Sequence, residues 1–332
     1  MMSRVLVCGA GSIGRRHIAN LREFGATVTA WRSRADLGDA LAHEFGITVH
    51  SDLASAVASA DAVVVATDTD RHLEPALAAA RAGKALFIEK PISHSREGID
   101  GFAALVREKR LVVEIGCQLR AHPCLRELHD RVRSGKDGPV HVVRAAVGQR
   151  LDAWRPGTDY RQSYSADAAR GGGALMDLIH EIDLVLWLAG PVAQVEAVTA
   201  KLSDLAIAAD DVACLTLTMR SGALAQIEMD MLSPVYRRSV EVVSRDAVHR
   251  HDDMDGGLMR SDATGSTAVK QTPPGHERNH LFRSHMEHFL KRLQDPTLPA
   301  LCSLDDGIAA LDVALAARRA AASRTAVTID AR

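Results

Sequence analysis

The sequence RVLVCGAGSIG at residues 4–14 joins an apolar, valine-rich run to three closely spaced glycines. The run is typical of a buried strand, and the apolar side chains of residues 13–24 recur at helical spacing. Glycines between a strand and a helix allow a pyrophosphate to approach the free N–H groups of the helix N-terminus closely. The pattern predicts a dinucleotide-binding loop, for which the alternative is a tight turn without a ligand. The predicted contact residues of the loop are Gly9, Gly11, Ser12, Ile13 and Gly14.

Strand and helix patterns alternate from this loop to about residue 122, which predicts βαβ units and a parallel sheet covered on both faces. Between residues 193 and 248 the strand-like runs instead follow one another with turns between them. We therefore expect an α/β chain of two domains. Residues 1–122 would form a Rossmann domain with a doubly wound parallel sheet, and residues 123–332 an α+β domain on a mostly antiparallel open sheet. The polar, turn-rich residues 251–279 are expected to form a loop.

The composition is that of an ordinary globular protein and excludes several classes of function. The chain has 332 residues, of which 47% are hydrophobic and 25% charged. The formal net charge of -2 gives no electrostatic case for binding nucleic acid or an anionic membrane. No apolar run approaches the ~20 residues of a membrane span. The five cysteines are scattered without a C-x-x-C pair, as is typical of reduced thiols, so we expect a cytoplasmic protein.

The residues after the second predicted strand bear on which dinucleotide binds. An NAD site usually has an acidic residue there for the ribose 2′-hydroxyl, whereas this chain has TAWRSR at residues 29–34. Two guanidinium groups and a hydroxyl suit the 2′-phosphate of NADP, and Trp31 or Arg32 could also cover the adenine ring. NADP is the expected cofactor, with NAD as the second choice, and the alternative is a solvated basic turn. The residues predicted to lie at this end of the cofactor are Trp31, Arg32, Ser33 and Arg34.

Polar residues follow two further predicted strands, in ATDTDRH at residues 66–72 and in FIEKPIS at residues 87–93. The carboxyl ends of parallel strands line the ligand crevice of such a sheet. The first segment offers as cofactor or substrate contacts Thr67, Asp68 and His72. His72 could instead satisfy backbone groups at a helix start. Lys90 would meet the nicotinamide end of the cofactor as a proton donor and acceptor, with Glu89 as its partner, and the alternative is a solvated lysine at an ordinary strand end.

An apolar helix is predicted over residues 174–188, and three polar residues interrupt its apolar surface. Asp177, His180 and Glu181 fall on one face within one turn. A helix that is apolar nearly all round is buried, and buried polar groups need partners or a function. The glycines at residues 171–173 would let a ligand approach the backbone. Asp177 and His180 are therefore candidate catalytic and substrate-binding residues, and the alternative is a structural polar network.

Two polar segments supply further candidates for binding a polyhydroxylated or carboxylated ligand. They are GCQLRAHP at residues 116–123 and the stretch at residues 150–166, for which the alternative is a solvated surface loop. The residues chosen from them are Gln118 for the cofactor and Arg120, Trp154, Tyr160 and Arg161 for the substrate. The histidines between residues 276 and 288 permit a helical metal pair, but no cysteines or carboxylates complete a tetrahedral site, so no metal is predicted.

Several of these motifs occur in the order found in the Gfo/Idh/MocA oxidoreductases, which the chain resembles over nearly its whole length. The motifs are GAGSIGRRHIANL, ATDTDRH, EKPIS, GCQLRAHP and GGGALMDLIHEID. The resemblance implies a Rossmann domain followed by a domain with an open antiparallel sheet. It also implies that Lys90 is the catalytic lysine, before a cis proline bond, and that Asp177 and His180 join it. The spacing D-x-x-H departs from the D-x-x-x-H of many members, so His180 corresponds to the family residue more securely than Asp177 does.

The expected activity is hydride transfer between nicotinamide C4 and a secondary alcohol or ketone of a sugar, cyclitol or sugar acid. Lys90 and His180 would handle the hydroxyl proton, with Asp177 orienting His180. Two alternatives stay open: a ligand-sensing regulator on the same fold, or an enzyme whose tightly held, recycled cofactor supports glycoside hydrolysis or internal oxidation–reduction. We expect neither nucleic acid nor membrane as a partner. We do expect a homodimer or homotetramer through the C-terminal sheet, because its open face needs a cover.

Overall fold

The computed structural model describes residues 3–32, 38–154, 157–253 and 256–330. By the contacts between its residues the chain divides into two units, each made of two separate stretches. Unit 1 comprises residues 1–118 and 277–308, and unit 2 comprises residues 119–276 and 309–332. Ser33 and Arg34, which the sequence predicts at the cofactor, lie outside the described residues.

Unit 1 is built on a six-stranded sheet in which neighbouring strands are parallel. The strands are β1 (Arg4–Cys8), β2 (Thr27–Trp31), β3 (Thr48–His50), β4 (Ala62–Val65), β5 (Ala85–Ile88) and β6 (Val113–Ile115). Their order across the sheet is β3-β2-β1-β4-β5-β6, the order of a doubly wound dinucleotide-binding sheet. The predicted Rossmann fold is confirmed. Sheets of this kind bind their ligand beyond the carboxyl ends of the strands, where the strand order reverses, here next to β1 and β4.

The helices begin and end at recognisable local signals. Asp52 accepts a hydrogen bond from the N–H of Ser55 and so caps one helix start, and Gly135, with a φ of 65°, ends another helix. The helices of the described residues are α1 (Ser12–Glu23), α2 (Gly38–Phe45), α3 (Leu53–Ser59), α4 (Leu73–Arg81), α5 (Ile99–Glu108), α6 (Pro123–Ser134), α7 (Ala174–Asp177), α8 (His180–Ala189), α9 (Arg278–Gln294) and α10 (Leu304–Ser323). Among these, none has both the length and the apolar composition that crossing a membrane requires.

The helix α9 belongs to unit 1, whereas the sequence analysis assigned it to the second domain, residues 123–332. Glu114 of β6 is fully buried, and its carboxylate accepts hydrogen bonds from Arg292 at 2.6 Å and from His285 at 3.0 Å, both on α9. Met286 and Phe289 of the same helix join the apolar core of unit 1. A buried carboxylate is unfavourable unless its oxygens are paired, so β6 and α9 depend on each other.

Unit 2 is built on a nine-stranded sheet, which confirms the predicted mostly antiparallel architecture. Its strands are β7 (Val140–Gly148), β8 (Val192–Ala200), β9 (Val212–Met219), β10 (Leu224–Asp230), β11 (Arg237–Ser244), β12 (Val248–Asp252), β13 (Gly257–Asp262), β14 (Gly265–Gln271) and β15 (Val327–Thr328). The order is β14-β13-β12-β11-β7-β10-β9-β8-β15, and β7 pairs with β10 in parallel. The prediction of a loop over residues 251–279 is wrong, because β13 and β14 form a hairpin there. The strand β14 is largely exposed, so its sequence lacks the alternation of apolar and polar residues by which a strand is predicted.

Candidate active site

The glycines at the start of α1 fit the phosphates of a dinucleotide for three separate reasons. Gly9 has a φ of 98°, and a Cβ atom there would collide with the carbonyl oxygen of Ala66, just after β4. A Cβ atom at Gly14 would collide with the carbonyl oxygen of Gly9, so α1 packs directly against the turn. A Cβ atom at Gly11 would meet nothing within 4 Å, and no side chain among the described residues caps the first turn of α1. Its N–H groups are therefore open to phosphate oxygens.

The end of β2 offers fewer side chains to a cofactor than its sequence indicates. Trp31 is 6% exposed, and its indole N–H donates to the carbonyl oxygen of Ser51 at 3.3 Å. The ring is therefore buried and hydrogen-bonded within unit 1. Arg32 is half-buried, and its backbone N–H donates to the carbonyl oxygen of His50 at 3.5 Å. Two of the four residues predicted there, Trp31 and Arg32, are described, and of these Arg32 is the one whose side chain is partly exposed to solvent. The preference for NADP stays a prediction.

His72 links the chain after β4 to the chain after β5. It is 2% exposed, with Nδ1 lying 2.9 Å from the carbonyl oxygen of Pro91 and Nε2 lying 3.0 Å from that of Thr67. A carbonyl oxygen only accepts, so both hydrogen bonds form together only when both ring nitrogens carry protons. Burial nevertheless lowers the pKa of His72, against the two carbonyl acceptors and the charge of Glu89. The backbone contacts that the sequence left as the alternative for His72 are present.

Glu89 and Lys90 follow β5, and Glu89 has a partner that the sequence analysis missed. His17 of α1 is 1% exposed, and its Nε2 atom lies 2.7 Å from the carboxylate of Glu89, which is itself 5% exposed. Burial raises the pKa of Glu89, but the hydrogen bond and charge of His17 together with the charges of Lys90 and His72 outweigh it and leave that pKa lowered. A Cβ atom at Gly116 would lie only 3.0 Å from the same carboxylate. Glu89 is therefore held as an anion next to Lys90 in the chain. Lys90 is half-buried, and its peptide bond to Pro91 is cis.

In unit 2 the helix predicted over residues 174–188 is interrupted between α7 and α8. The N–H of Glu181 donates to the carbonyl oxygen of Leu178 at 3.3 Å, a bond three residues back, as in a 3-10 turn. Asp177 is the last residue of α7 and His180 the first of α8, so the two members of the D-x-x-H pair lie on either side of this interruption. Both are buried, with exposures of 4% and 5%. The hydroxyl of Tyr164 donates to Oδ1 of Asp177 at 2.9 Å.

The two acidic side chains of α8, Glu181 and Asp183, are each bound to an arginine. Arg120, predicted to bind substrate, is 4% exposed and donates from Nε and Nη2 to both oxygens of Asp183 at 3.0 and 2.7 Å. Arg238 donates from Nε to Glu181 at 2.7 Å. Paired guanidinium groups of this kind fix the position of a helix that carries buried charge. Arg120 is therefore seen to hold α8, and its contact with substrate stays a prediction.

The remaining predicted binding residues divide into those with local partners and those without. The indole of Trp154 donates to the carbonyl oxygen of Gln149, the hydroxyl of Tyr160 accepts from the N–H of Ala206, and Arg161 pairs with Asp159. Two of these predicted residues, Thr67 and Gln118, carry a buried side-chain oxygen, Oγ1 and Oε1 respectively, that has no hydrogen-bond partner within the described residues and is open to a ligand. Asp68 is half-buried at the start of a 3-10 turn, Thr69–Arg71.

Unit 2 also contains a group of residues of the metal-ligating type. The ligand atoms of His122, His251 and Asp253 lie within 4.8 Å of one another. The Nδ1 atom of His122 accepts from the N–H of Cys124 at 3.2 Å, so the neutral ring carries its proton on Nε2 and offers no lone pair there. Burial, together with the charge of His251, lowers the pKa of His122 to about 4, which favours this neutral ring. The hydrogen bonds of the group do not suit a metal ion.

Comparisons with known proteins give the family. The model of an oxidoreductase family with an NAD-binding Rossmann fold matches residues 3–117, and the model of the GFO/IDH/MocA C-terminal domain matches residues 125–248. Together the two matched stretches cover more than half of the 332 residues.

Similar proteins extend this match over the whole chain. Inositol 2-dehydrogenase of Rhizobium meliloti (strain 1021) is 30% identical over 99% of this chain and 100% of its own length. Myo-inositol 2-dehydrogenase of Thermotoga maritima is 26% identical, covering 98% of each chain. The crystal structure of GenD2 from gentamicin A biosynthesis, in complex with NAD, superimposes with a TM-score of 0.81 at 26% identity, covering 99% of this chain and 97% of that one. The chain therefore belongs to the Gfo/Idh/MocA family of NAD-binding oxidoreductases.

Proposed function

We propose that this protein is an NAD(P)-dependent dehydrogenase that moves a hydride between nicotinamide C4 and a secondary alcohol or ketone carbon of a cyclitol, sugar or sugar acid. The observation that carries the proposal is the position of Lys90. It lies two residues after the end of β5 in the dinucleotide-binding sheet, and both of its neighbours are bonded within unit 1, Glu89 to His17 and Pro91 to His72. The relatives named inositol 2-dehydrogenase make cyclitols the first substrates to test.

The proposed cofactor site follows the glycine loop and the ends of β2 and β4. A bound nicotinamide cofactor supplies the hydride donor or acceptor. The loop residues Gly9, Gly11, Ser12, Ile13 and Gly14 would hold its pyrophosphate at the N-terminus of α1. Thr67 and Gln118 each offer a buried side-chain oxygen that has no hydrogen-bond partner within the described residues. The basic pair Arg32 and Arg34 supports a preference for NADP, because guanidinium groups bind a 2′-phosphate where NAD sites carry a carboxylate.

The proton chemistry is proposed for Lys90, His180 and Asp177. One of Lys90 and His180 takes the proton of the substrate hydroxyl during oxidation and returns it during reduction, while the other polarises the same oxygen. Asp177 orients the imidazole of His180 and stabilises its protonated form. Burial of Asp177 and His180 supports these roles, since a buried acid–base pair works in a medium of low dielectric constant where such interactions are strong.

The test is a substrate panel run with both cofactors. Purified protein is incubated with NAD+ or NADP+ and with myo-inositol, other cyclitols, aldoses and uronates, and formation of the reduced nicotinamide is followed by its absorbance. We expect turnover with at least one polyol. Two other results would contradict the proposal. Cofactor that copurifies and stays bound, without net reduction, would favour the recycled-cofactor enzyme. Ligand-induced thermal stabilisation without turnover at any pH would favour the ligand-sensing regulator.

A further inference from the structure

Tyr164 lies in the predicted ligand-binding stretch of residues 150–166, and the proposed chemistry gives it no role of its own. It begins a 3-10 turn, Tyr164–Ala166, in the connection between β7 and α7. Its hydroxyl lies 2.9 Å from Oδ1 of Asp177, which is 4% exposed. An ionised carboxylate only accepts hydrogen bonds, so the phenol donates. The phenol of Tyr164 is therefore bound to Asp177, a carboxylate with a proposed role in the acid–base chemistry.

The main chain fixes the distance between this turn and α7. The N–H of Gly173 donates to the carbonyl oxygen of Ser165 at 3.1 Å, and a Cβ atom at Gly172 would lie 2.6 Å from that same oxygen. On the other side, the N–H of Leu175 donates to the side chain of Asp210 at 2.8 Å. The backbones that carry Tyr164 and Asp177 are therefore held by short, direct contacts, and the side-chain torsions of Asp177 are what the phenol hydroxyl restrains.

The chemistry of the donor distinguishes Asp177 from its neighbours on α8. Asp183 and Glu181 receive hydrogen bonds from guanidinium groups, which cancel their charge. A phenol is neutral at physiological pH, so its hydrogen bond orients the carboxylate of Asp177 without cancelling the charge. A carboxylate that must stabilise an imidazolium needs its negative charge intact.

We propose that Tyr164 is a positioning residue that holds the carboxylate of Asp177 correctly directed for its work on His180. This inference rests on the proposed function, in which Asp177 and His180 form an acid–base pair. Tyr164 acts through Asp177 and is not itself the proton donor to substrate. Its contribution should appear in the chemical step and not in binding.

The variant Tyr164→Phe removes the hydroxyl and keeps the ring, so the melting temperature should stay that of the wild type. With the best substrate of the panel, kcat should fall roughly 10- to 100-fold, the usual worth of a charge-assisted hydrogen bond, while KM and the Kd for NAD(P)H change less than about 2-fold. A merely structural tyrosine would instead lower the melting temperature and weaken cofactor binding together.

The matched control is Tyr236→Phe, which deletes the same kind of bond elsewhere in unit 2. The hydroxyl of Tyr236 donates to Asp253 at 2.7 Å, and neither residue has a proposed role in the reaction. This variant should keep kcat within about 2-fold of the wild type, since losing one phenol–carboxylate bond is a local change. If both phenylalanine variants lose the same fraction of kcat, the effect is a general one and the inference is overturned.

The variant Asp177→Ala separates the inference from the proposed function. In that background the phenol has no carboxylate to position, so Tyr164→Phe should lower kcat less than about 2-fold further. If Asp177→Ala keeps the wild-type kcat, the proposed role of Asp177 is wrong. If Asp177→Ala is impaired but Tyr164→Phe is not, or if their losses multiply, the proposed function stands and the inference alone fails. If Tyr164→Phe lowered kcat through a folding defect, the same loss of kcat would also be measured in the Asp177→Ala background.

Discussion

At the scale of single residues, Lys90 is the side chain whose loss should be most specific. Methionine keeps the length of lysine without its ammonium group, so Lys90→Met should leave the fold and cofactor affinity nearly unchanged. Loss of general acid–base help should lower kcat on the order of 100- to 10,000-fold. Steady-state kinetics and cofactor titration measure the two quantities separately.

The control for this prediction lies at the other end of the same strand. Lys84 precedes β5 and its ammonium group donates to the carbonyl oxygen of Ala60 at 2.6 Å, so Lys84→Met removes an equivalent side chain from a structural position. It should keep kcat near the wild-type value. A Lys90→Met enzyme that retains more than about a tenth of the wild-type rate would show that Lys90 is an ordinary solvated lysine at a strand end.

At the scale of elements, the connection after β2 is expected to set the preference between cofactors. Each charge-assisted contact to a 2′-phosphate should contribute roughly 10- to 150-fold in affinity. The double variant Arg32→Asp with Arg34→Gly should therefore weaken NADPH binding more than NADH binding, because the new carboxylate repels the phosphate and accepts from a ribose 2′-hydroxyl. Dissociation constants for both cofactors measure the change. Equal affinity of the unmodified protein for NADH and NADPH would mean that the arginines form a solvated turn.

The helix α8 is expected to depend on its buried ion pair with Arg120. The variant Asp183→Asn leaves that guanidinium buried without a charged partner, which should lower the free energy of unfolding by about 3 kcal/mol. Chemical denaturation followed by circular dichroism measures it. The exposed pair of Arg245 and Asp246 is the control, since Asp246→Asn removes an ion pair already screened by water and should change stability little. Equal effects of the two variants would contradict the assignment of Arg120 to structural support.

At the scale of the whole molecule, the sheet of unit 2 has apolar side chains exposed on one face. Val198 of β8 is 68% exposed and pairs across the strands with the exposed Cys214 of β9, so both lie on that face. We propose that a second copy of this chain covers the face. Light scattering should give the mass of two or four chains, and Val198→Arg should shift the equilibrium toward the monomer. Val235→Arg, at a 66% exposed position that is not part of this face, should not. A wild-type monomer at micromolar concentration would contradict the proposal.

The sequence by itself determined the features that depend on neighbours along the chain. Alternating strand and helix patterns gave the parallel sheet, and the glycines of residues 9–14 gave the loop before α1, because periodicity and backbone freedom are local properties. Lys90 could be placed at the crevice edge because it directly follows a strand whose direction the βαβ pattern fixes.

The tertiary structure alone decided the features that depend on distant partners. His17 pairs with Glu89 across 72 positions, and Glu114 draws α9 back to unit 1 across more than 170, contacts that no local pattern indicates. The break between α7 and α8 also escaped prediction, because its residues are apolar and suit a continuous helix. Buried charges must find partners wherever the fold brings them, so the sequence shows which side chains need a partner and the folded chain decides which partner each one obtains.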